Sequence, residues 1–277
     1  MNYLRPLWIK LLIGLLLVLV GIQWGIHQPL PDQLSKDVPQ VFLLPFLERP
    51  QTYFYLHLFT FIPVFLLSFD RNVHYYKQWR YLWPGILIMG ALFILWDSFF
   101  TLSDVWGFNE NYVSGVFFLH LPLEEWLFFL TVPFASVFIY ECLNFYVKKD
   151  WLQPLQGTIS LVLLLLFLLG GFLTWGRLYS STTLLLAAAL LAYLYFLQKS
   201  PWLGRFYFAF LFVLIPFLLV NGVLTGGYTN EPVVLYNPEE FMGIRITSVP
   251  LEDAVYGFTL LLGITAIYEW RKLTVDA

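Results

Sequence analysis

The tetrapeptide Pro-Leu-Glu-Glu at residues 122–125 recurs 128 positions later as Pro-Leu-Glu-Asp at residues 250–253. The same spacing, without a gap, aligns residues 107–141 with residues 235–269. This alignment places residues 107–115, Gly-Phe-Asn-Glu-Asn-Tyr-Val-Ser-Gly, on residues 235–243, Leu-Tyr-Asn-Pro-Glu-Glu-Phe-Met-Gly. It also places Ile-Tyr-Glu at 139–141 on Ile-Tyr-Glu at 267–269. The coinciding residues are too polar to match merely because both segments are apolar, so the chain contains an internal duplication.

The composition around the two copies is that of a membrane protein. Of the 277 residues, 59% are hydrophobic and 12% are charged, and the mean hydropathy is +0.72, which exceeds what soluble globular proteins show. A helix that crosses a bilayer needs roughly 20 apolar residues. Runs of about this length are predicted at 7–26, 52–69, 81–102, 119–140, 157–176, 182–198, 206–224 and 250–268. The sequence therefore predicts an all-α integral membrane protein with about eight transmembrane helices.

The 15 Lys and Arg residues are distributed unevenly over this topology. With a cytoplasmic amino terminus, eleven lie on the cytoplasmic side, namely Arg5, Lys10, Arg71, Lys77, Arg80, Lys148, Lys149, Lys199, Arg205, Arg271 and Lys272. The other four are Lys36, Arg49, Arg177 and Arg245. Cytoplasmic loops are enriched in basic residues, so this distribution predicts a multi-pass protein of the plasma membrane with both termini in the cytoplasm.

The duplication divides the chain into four parts. We predict an N-terminal transmembrane helix and outer loop over 1–51, a first repeat over 52–150, a linker helix over 151–180 and a second repeat over 181–277. Three helices per repeat and one linker place the repeats in parallel orientation, related by an axis along the membrane normal, with a shared site where they face each other. The first apolar segment is either a retained helix or a signal peptide. No small-residue cleavage pattern follows it, which favours a retained helix.

Each repeated motif places two acids in the first turn of a membrane helix, Glu124 and Glu125 in one copy and Glu252 and Asp253 in the other. One such motif is explained by helix capping, because acids there complement the helix dipole. Two adjacent acids that recur close to hydrocarbon, where ionisable groups are costly, indicate a site. Asp97 strengthens this interpretation because it follows an apolar run on the same side of the membrane. These five acids are the candidate catalytic residues.

Amide and aromatic side chains near the acids are candidate substrate-binding residues. They are Asn109, Asn237, Asn221, Trp96, Trp126 and Phe128. The asparagines of the two outer loops could donate to the carboxylates or could be turn formers. The aromatic rings could stabilise a cation with their faces or could serve packing and the aromatic belt.

Glu141 and Glu269 also coincide in the repeat, but they follow the motif acids by 17 residues. They therefore lie about 25 Å away along the helix, at the cytoplasmic end. Lys148 and Lys149 are close to Glu141 in sequence, and Lys272 is close to Glu269, so surface ion pairing explains both acids.

The motifs that the chain lacks exclude several classes of cofactor. Cys142 is the single cysteine, which excludes a disulfide framework and a thiolate-rich metal cluster. The four histidines lack metal-ligand spacing, and neither G-x-G-x-x-G nor G-x-x-x-x-G-K-[ST] occurs. The basic residues lie at helix ends and form no stripe for nucleic acid. We expect no cofactor, no metal ion and no nucleic-acid partner.

The two Pro-x-Glu-(Glu/Asp) motifs, the Trp-Gly-Phe-Asn loop at 106–109 and the following Tyr-Glu resemble the heterodimer-type lycopene cyclases, and more specifically their fused single-chain form. The similarity covers about residues 52–270. The resemblance implies a lycopene β-cyclase, which forms β-ionone rings from the ψ-ends of lycopene, by way of γ-carotene to β-carotene, without net redox change. It also implies that the functional acids of that family fall on Glu124, Glu125, Glu252 and Asp253.

The acids fit this chemistry. Ring closure needs a neutral carboxylic acid that protonates the terminal double bond, and a base that later removes a proton from the ring. A carboxyl group buried beside a carboxylate retains its proton, because desolvation and like charge both oppose ionisation. Each motif could supply either role, in one site used twice or in two sites used once each. The second repeat has no aspartate counterpart to Asp97, so its pair could instead position the substrate.

Other functions fit parts of the same pattern. A hydratase on this scaffold would trap the cation with water before ring closure, and a small transporter would also combine repeats with paired intramembrane acids. An intramembrane prenyltransferase is disfavoured because paired aspartate-rich Mg²⁺ motifs are absent. For a cyclase, the expected partners are a lipid-soluble carotenoid and membrane lipid, and further ones could be other carotenoid enzymes or a second copy of the chain.

Overall fold

Long apolar runs without strand-like alternation form helices in the computed structural model, which describes residues 34–275. The α-helices in this part of the chain are α1 (Thr52–Leu67), α2 (Trp79–Leu102), α3 (Leu123–Tyr146), α4 (Gln156–Leu173), α5 (Leu178–Ala192), α6 (Leu203–Leu224) and α7 (Leu251–Val275). A π-helical turn, Tyr193–Leu197, extends α5. Short 3₁₀ turns precede α1, α2 and α4 at Pro45–Leu47, Tyr75–Gln78 and Gln153–Leu155.

Six helices of the described chain are long and apolar enough to cross a membrane, some together with an adjoining turn. These spans are Tyr75–Leu102, Leu123–Tyr146, Gln153–Leu173, Leu178–Leu197, Leu203–Leu224 and Leu251–Thr274. The protein is therefore membrane-embedded and mainly helical, as predicted, but the predicted count of eight spans is not confirmed. The run predicted at 52–69 forms the shorter α1, and the run predicted at 7–26 lies outside the described residues.

Short strands at one end of the bundle, which we call the strand end, show how the two repeats are related. β1 (Trp106–Phe108) pairs antiparallel with β4 (Val234–Tyr236), and Gly107 lies opposite Leu235. These two residues are counterparts in the 128-residue duplication, so a pseudo-two-fold axis passes between them. The flanking backbone hydrogen bonds obey the same symmetry, at 2.8 Å from Asn109 N to Val233 O and at 2.9 Å from Asn237 N to Val105 O.

The opposite end of the bundle carries a second symmetric contact. The Tyr140 hydroxyl donates to Glu269 Oε1 at 2.9 Å, and the Tyr268 hydroxyl is hydrogen-bonded to Glu141. The two tyrosine rings lie 6.5 Å apart, so each tyrosine binds the acid of the other repeat. An axis that passes through both ends runs lengthwise through the bundle, as parallel repeats require.

A tight hairpin precedes each acid-bearing helix. β2 (Phe117–Phe118) pairs with β3 (Leu121–Pro122) before α3, and β5 (Arg245–Ile246) pairs with β6 (Val249–Pro250) before α7. Gly115 and Gly243 have φ values of +79° and +78°, a conformation that favours glycine, which explains why both copies of the repeat have glycine there. Because residues 119–122 belong to the hairpin, α3 begins at Leu123 and not at the predicted residue 119.

The first helices of the two repeats are related by a spacing of 126 residues. α1 begins at Thr52 and α5 at Leu178, four residues before the predicted start at 182. Tyr53, the second residue of α1, donates its backbone N–H to the Tyr112 carbonyl. Tyr179, the second residue of α5, donates its backbone N–H to the Glu240 carbonyl. Those acceptors are themselves 128 residues apart, so Tyr53 and Tyr179 are structural counterparts.

The segment before α1 lies on the strand end. Ser35 N donates to Tyr236 O at 3.0 Å, and Val41 N donates to Gly227 O at 2.8 Å. Leu34 packs so closely on Gly107 that a Cβ there would come within 2.6 Å of its Cδ1. This segment, which is too short to fold alone, thus covers β1 and β4.

Candidate functional site

The first acid of each motif holds the preceding loop against its helix. Glu124 Oε1 accepts a hydrogen bond from the backbone N–H of Ser114 at 2.7 Å, and Glu252 Oε1 accepts one from Met242 at 2.7 Å. The Ser180 hydroxyl also donates to Glu252 at 2.5 Å. Both glutamates are fully buried. Glu124 and Glu252 therefore stabilise the loops that lead into the hairpins.

The second acid of each motif faces the other repeat. Successive residues of an α-helix are rotated by about 100°, so Glu125 and Asp253 cannot share the direction of the preceding glutamates. Together with Asp97 of α2 they line one cavity of about 50 Å³ next to β1 and β4. Counterpart residues from both repeats line it, including Tyr53 and Tyr179, so the cavity lies on the pseudo-two-fold axis.

Four buried tyrosines donate hydrogen bonds to these three acids. The contacts are Tyr53 to Glu125 Oε2 at 2.8 Å, Tyr179 to Asp253 Oδ1 at 2.5 Å, Tyr236 to Asp253 Oδ2 at 2.8 Å, and Tyr256 to Asp97 Oδ1. Phenol donors orient carboxyl groups and stabilise negative charge where water is excluded. The acids of the cavity are thus held in defined positions.

None of the four tyrosines was predicted from the sequence. Tyr53 and Tyr179 match only if the alignment of the repeats includes a two-residue shift, which a gapless spacing of 128 does not allow. Tyr236 and Tyr256 align with Phe108 and Phe128 in the other copy. The alignment of the repeats therefore does not mark these two tyrosines as shared polar residues.

The carboxyl groups of Asp97 and Glu125 lie beside each other in this cavity. Two ionised carboxylates side by side in a buried site repel each other, so the pair is stabilised when it shares one proton. The pair can therefore hold and transfer a proton in apolar surroundings.

Asp253 accepts hydrogen bonds from Tyr179 and Tyr236, and two such donors stabilise a carboxylate anion. Within residues 34–275, no group of three His, Cys, Asp or Glu side chains is arranged to hold a metal ion.

Tyr236 lies in β4, outside the membrane spans. Burial raises the pKa of its phenol well above the ordinary value, and the negative charge of Asp253 raises this pKa further. The phenol therefore stays protonated over the physiological pH range and remains a donor to Asp253.

The predicted substrate-binding residues of the helices lie at different distances from the acids. Phe128 and Asn221 line the cavity. Trp96 is buried, with its ring centroid 5.1 Å from that of Tyr256. Trp126 faces away toward β2, where its indole N–H donates to a backbone carbonyl at 3.2 Å.

Asn109 and Asn237 are turn residues, one of the two interpretations that the sequence left open. The side-chain oxygen of each accepts a hydrogen bond from the backbone N–H two residues later, at 3.1 Å. Asn109 Nδ2 donates to Glu231 Oε2 at 2.9 Å, and Asn237 Nδ2 donates to Asp104 O at 3.1 Å. In the described structure, their amide groups thus join loops at the strand end and do not bind the motif acids.

Glu141 and Glu269 lie at the opposite end of the bundle, as predicted, but one ion pair differs from the prediction. Lys272 Nζ lies 3.2 Å from Glu141 Oε1 and 4.0 Å from Glu269 Oε1. Lys148 and Lys149 instead lie over aromatic rings of their own segment. Glu141 therefore pairs across the two repeats, because α3 and α7 meet near the axis.

A protein-family model described as lycopene cyclase matches the chain twice, over residues 50–143 and over residues 176–271. The two matches start 126 residues apart and end 128 residues apart, the same two spacings that relate the helices and strands of the repeats. Searches of curated proteins and of solved structures gave no match. The matched regions together exceed half of the chain, and each contains one acid motif. The chain therefore belongs to the lycopene cyclase family, as a single chain with two repeats, and is an enzyme of carotenoid cyclisation.

Proposed function

We propose that this enzyme is a lycopene β-cyclase, which converts the ψ-ends of lycopene into β-ionone rings by way of γ-carotene to β-carotene. The reaction is an isomerisation of the intramolecular lyase type, without net redox change. Membership of the lycopene cyclase family supports cyclisation over the alternative of a membrane transporter. The observation that carries the proposal is the buried cavity in which Asp97, Glu125 and Asp253 meet.

The Asp97–Glu125 pair takes the role of general acid. Its shared proton is transferred to the terminal double bond of a ψ-end, whose π electrons form the new C–H bond and leave a tertiary cation. The π electrons of an inner double bond then attack this cation, close the ring and leave a second tertiary cation within it. Exclusion of water from the buried pair protects both cations from hydration.

Asp253 takes the role of general base. Its carboxylate removes a proton from the ring, and the electrons of the broken C–H bond form the ring double bond of the product. The aromatic faces of Trp106 and Phe128 line the same cavity and can stabilise the intermediate cations. One proton is delivered and one is removed for each ring, so the carotenoid keeps its composition and oxidation state.

The enzyme is assigned to the plasma membrane, with several spans and both termini in the cytoplasm. This assignment rests on the basic residues of the predicted cytoplasmic side, eleven out of 15, and on the six apolar helices. In that orientation the acid cavity lies at the strand end, near the non-cytoplasmic surface. A lipid-soluble carotenoid then reaches the cavity from the bilayer.

The test is the pigment composition of lycopene-accumulating cells that express this chain, resolved by chromatography. We expect γ-carotene and β-carotene to replace lycopene. A hydroxylated acyclic product would identify the hydratase alternative, in which water traps the first cation. Unchanged lycopene in cells whose membranes contain the protein would overturn the proposal.

A further inference from the structure

A second, larger cavity adjoins the acid cavity. It is a groove of about 280 Å³, compared with about 50 Å³ for the acid cavity, and it lies between α1 and α6 with α3 as its floor. Its lining is apolar apart from two hydroxyl side chains and Asn221. Phe59 and Leu219 at its rim are 73% and 58% exposed, so the groove opens on the face that contacts lipid.

The other half of the molecule has close helix packing where a symmetric groove would lie, between α5 and α2 over α7. A Cβ at Gly263 of α7 would overlap the end of the Met89 side chain of α2. A Cβ at Gly85 of α2 would lie 3.0 Å from the Ile264 carbonyl oxygen of α7. Glycine thus allows α2 and α7 to approach until the space between them is filled.

The groove replaces this contact because the duplication is imperfect at the same four positions. The spacing of 128 residues relates Gly263 and Ile264 of α7 to Ala135 and Ser136 of α3. α2 and α6 begin 124 residues apart, at Trp79 and Leu203, so the counterparts of Gly85 and Met89 are Ala209 and Val213. Ala135, Ser136 and Val213 line the groove. The Ala135 side chain occupies the space that Gly263 leaves for Met89, and Val213 is shorter than Met89, so the space between α3 and α6 stays open.

The groove is continuous with the acid cavity. Phe128, Phe217 and Asn221 line both spaces. The acid cavity has the chemistry for an end group that becomes a cation, whereas the groove offers an apolar path from that end group to the lipid. A long acyclic hydrocarbon with a reactive end matches the two spaces together.

We propose that the groove binds the polyene chain of the carotenoid while one ψ-end lies among the three acids, an inference that rests on the proposed function. Within residues 34–275, Met89 and Ile264 fill the position of the symmetric groove in the other half. The two ends of lycopene are therefore cyclised in successive binding events at one site. The half-cyclised carotenoid leaves through the groove and returns with its other end first.

The test introduces bulk into the groove after the protein has folded. Cys142, the single cysteine, is replaced by Ser, and Ala135→Cys is made in the floor of the groove. Lycopene bound to the purified protein in detergent, and the cyclised product, are measured before and after alkylation with a bulky maleimide. We expect alkylation to lower both by about tenfold or more, because the reagent takes the place of several buried carbons of the chain.

The matched control is Ile215→Cys in the same background, on the lipid-facing side of α6, where Ile215 is 62% exposed. Its alkylation is expected to leave both measurements unchanged. Equal lycopene binding before and after alkylation of Ala135→Cys would overturn the proposal, and so would an equal loss in the control. If unmodified protein binds lycopene without cyclising it, the proposed function fails, whereas loss of binding on alkylation would still support the groove.

Discussion

Glu124 and Glu125 are neighbours in the chain but have different partners. Glu124 binds the backbone of Ser114, whereas Glu125 accepts a hydrogen bond from Tyr53 and lies beside Asp97 in the cavity. An acid that holds a loop through buried hydrogen bonds cannot turn toward a substrate without breaking them, and each unmade buried hydrogen bond costs about 1–3 kcal/mol. The structure thus favours the second acid of each motif as the reacting one.

Glu125→Gln and Glu124→Gln form a matched pair that tests this division. In Glu125→Gln the amide still accepts from Tyr53 but has no transferable proton, so we expect product formation to fall by at least about 10²-fold. In Glu124→Gln the amide oxygen still accepts from Ser114 N, so we expect activity within a few-fold of wild type. The measurement is cyclised carotenoid per unit of enzyme in membranes. Normal cyclisation by Glu125→Gln would remove this residue from the acid pair.

The sequence predicted the motif acids and Asp97 as a set, because ionisable residues near hydrocarbon are conspicuous. It could not separate Glu124 from Glu125, since that distinction depends on where the preceding loop folds back. It also missed Tyr256, because a tyrosine among many aromatic residues of a membrane helix indicates packing until its hydroxyl is seen to bind Asp97.

At the scale of elements, glycine decides how closely helices approach. Gly263 of α7 faces the Met89 side chain of α2, whereas its counterpart in α3 is Ala135, in the floor of the groove. The apolar runs predicted the helices but not this difference in spacing, because one residue in a long apolar run hardly changes its hydropathy. The apolar runs also failed to predict strands β2 and β3. Their residues, Phe117–Phe118 and Leu121–Pro122, are themselves apolar and adjoin the apolar run of α3.

Gly85→Val tests the contact between α2 and α7. The added Cβ would lie 3.0 Å from the Ile264 carbonyl oxygen and 3.3 Å from its Cγ2, so the helices must separate. We expect a loss of about 1–3 kcal/mol in stability, typical of overpacking, measured as a lower melting temperature in detergent. Gly176→Ala is the control, because its Cβ would meet nothing within 4 Å. Equal melting temperatures for Gly85→Val and wild type would show that α2 and α7 accommodate the larger side chain without loss of stability.

At the scale of the whole molecule, the duplication predicted parallel repeats, and the symmetric contacts at Gly107–Leu235 and Tyr140–Tyr268 agree. The asymmetry of the molecule could not be predicted in this way. It arises from pairs such as Gly263 and Ala135, whose effect depends on which side chain faces them from the neighbouring helix.

The number of spans depends on α1, which has 16 residues and is about 24 Å long, somewhat shorter than a hydrocarbon core of roughly 30 Å. Its path nevertheless follows that of α3. His57 Nδ1 lies 2.9 Å from Thr131 Oγ1, and the ring of Phe61 lies 5.2 Å from that of Phe134. α1 therefore runs in the same direction as α3, a helix of 24 residues that is long enough to cross.

We predict that α1 crosses the membrane and that the strand end is exported. Mismatch of a few ångströms costs only a fraction of a kcal/mol per Å, whereas exporting Arg71, Lys77 and Arg80 would oppose the charge preference of the two sides. Reporter fusions after Lys149 and after Lys272 should therefore be cytoplasmic, and a fusion after Glu110, in the loop that follows β1, should be exported. If α1 stayed on one side while the predicted first helix crossed, α2 and α3 would reverse their directions. The fusion after Lys149 would then be exported and the one after Glu110 cytoplasmic, and the acid cavity would open near the cytoplasmic surface instead.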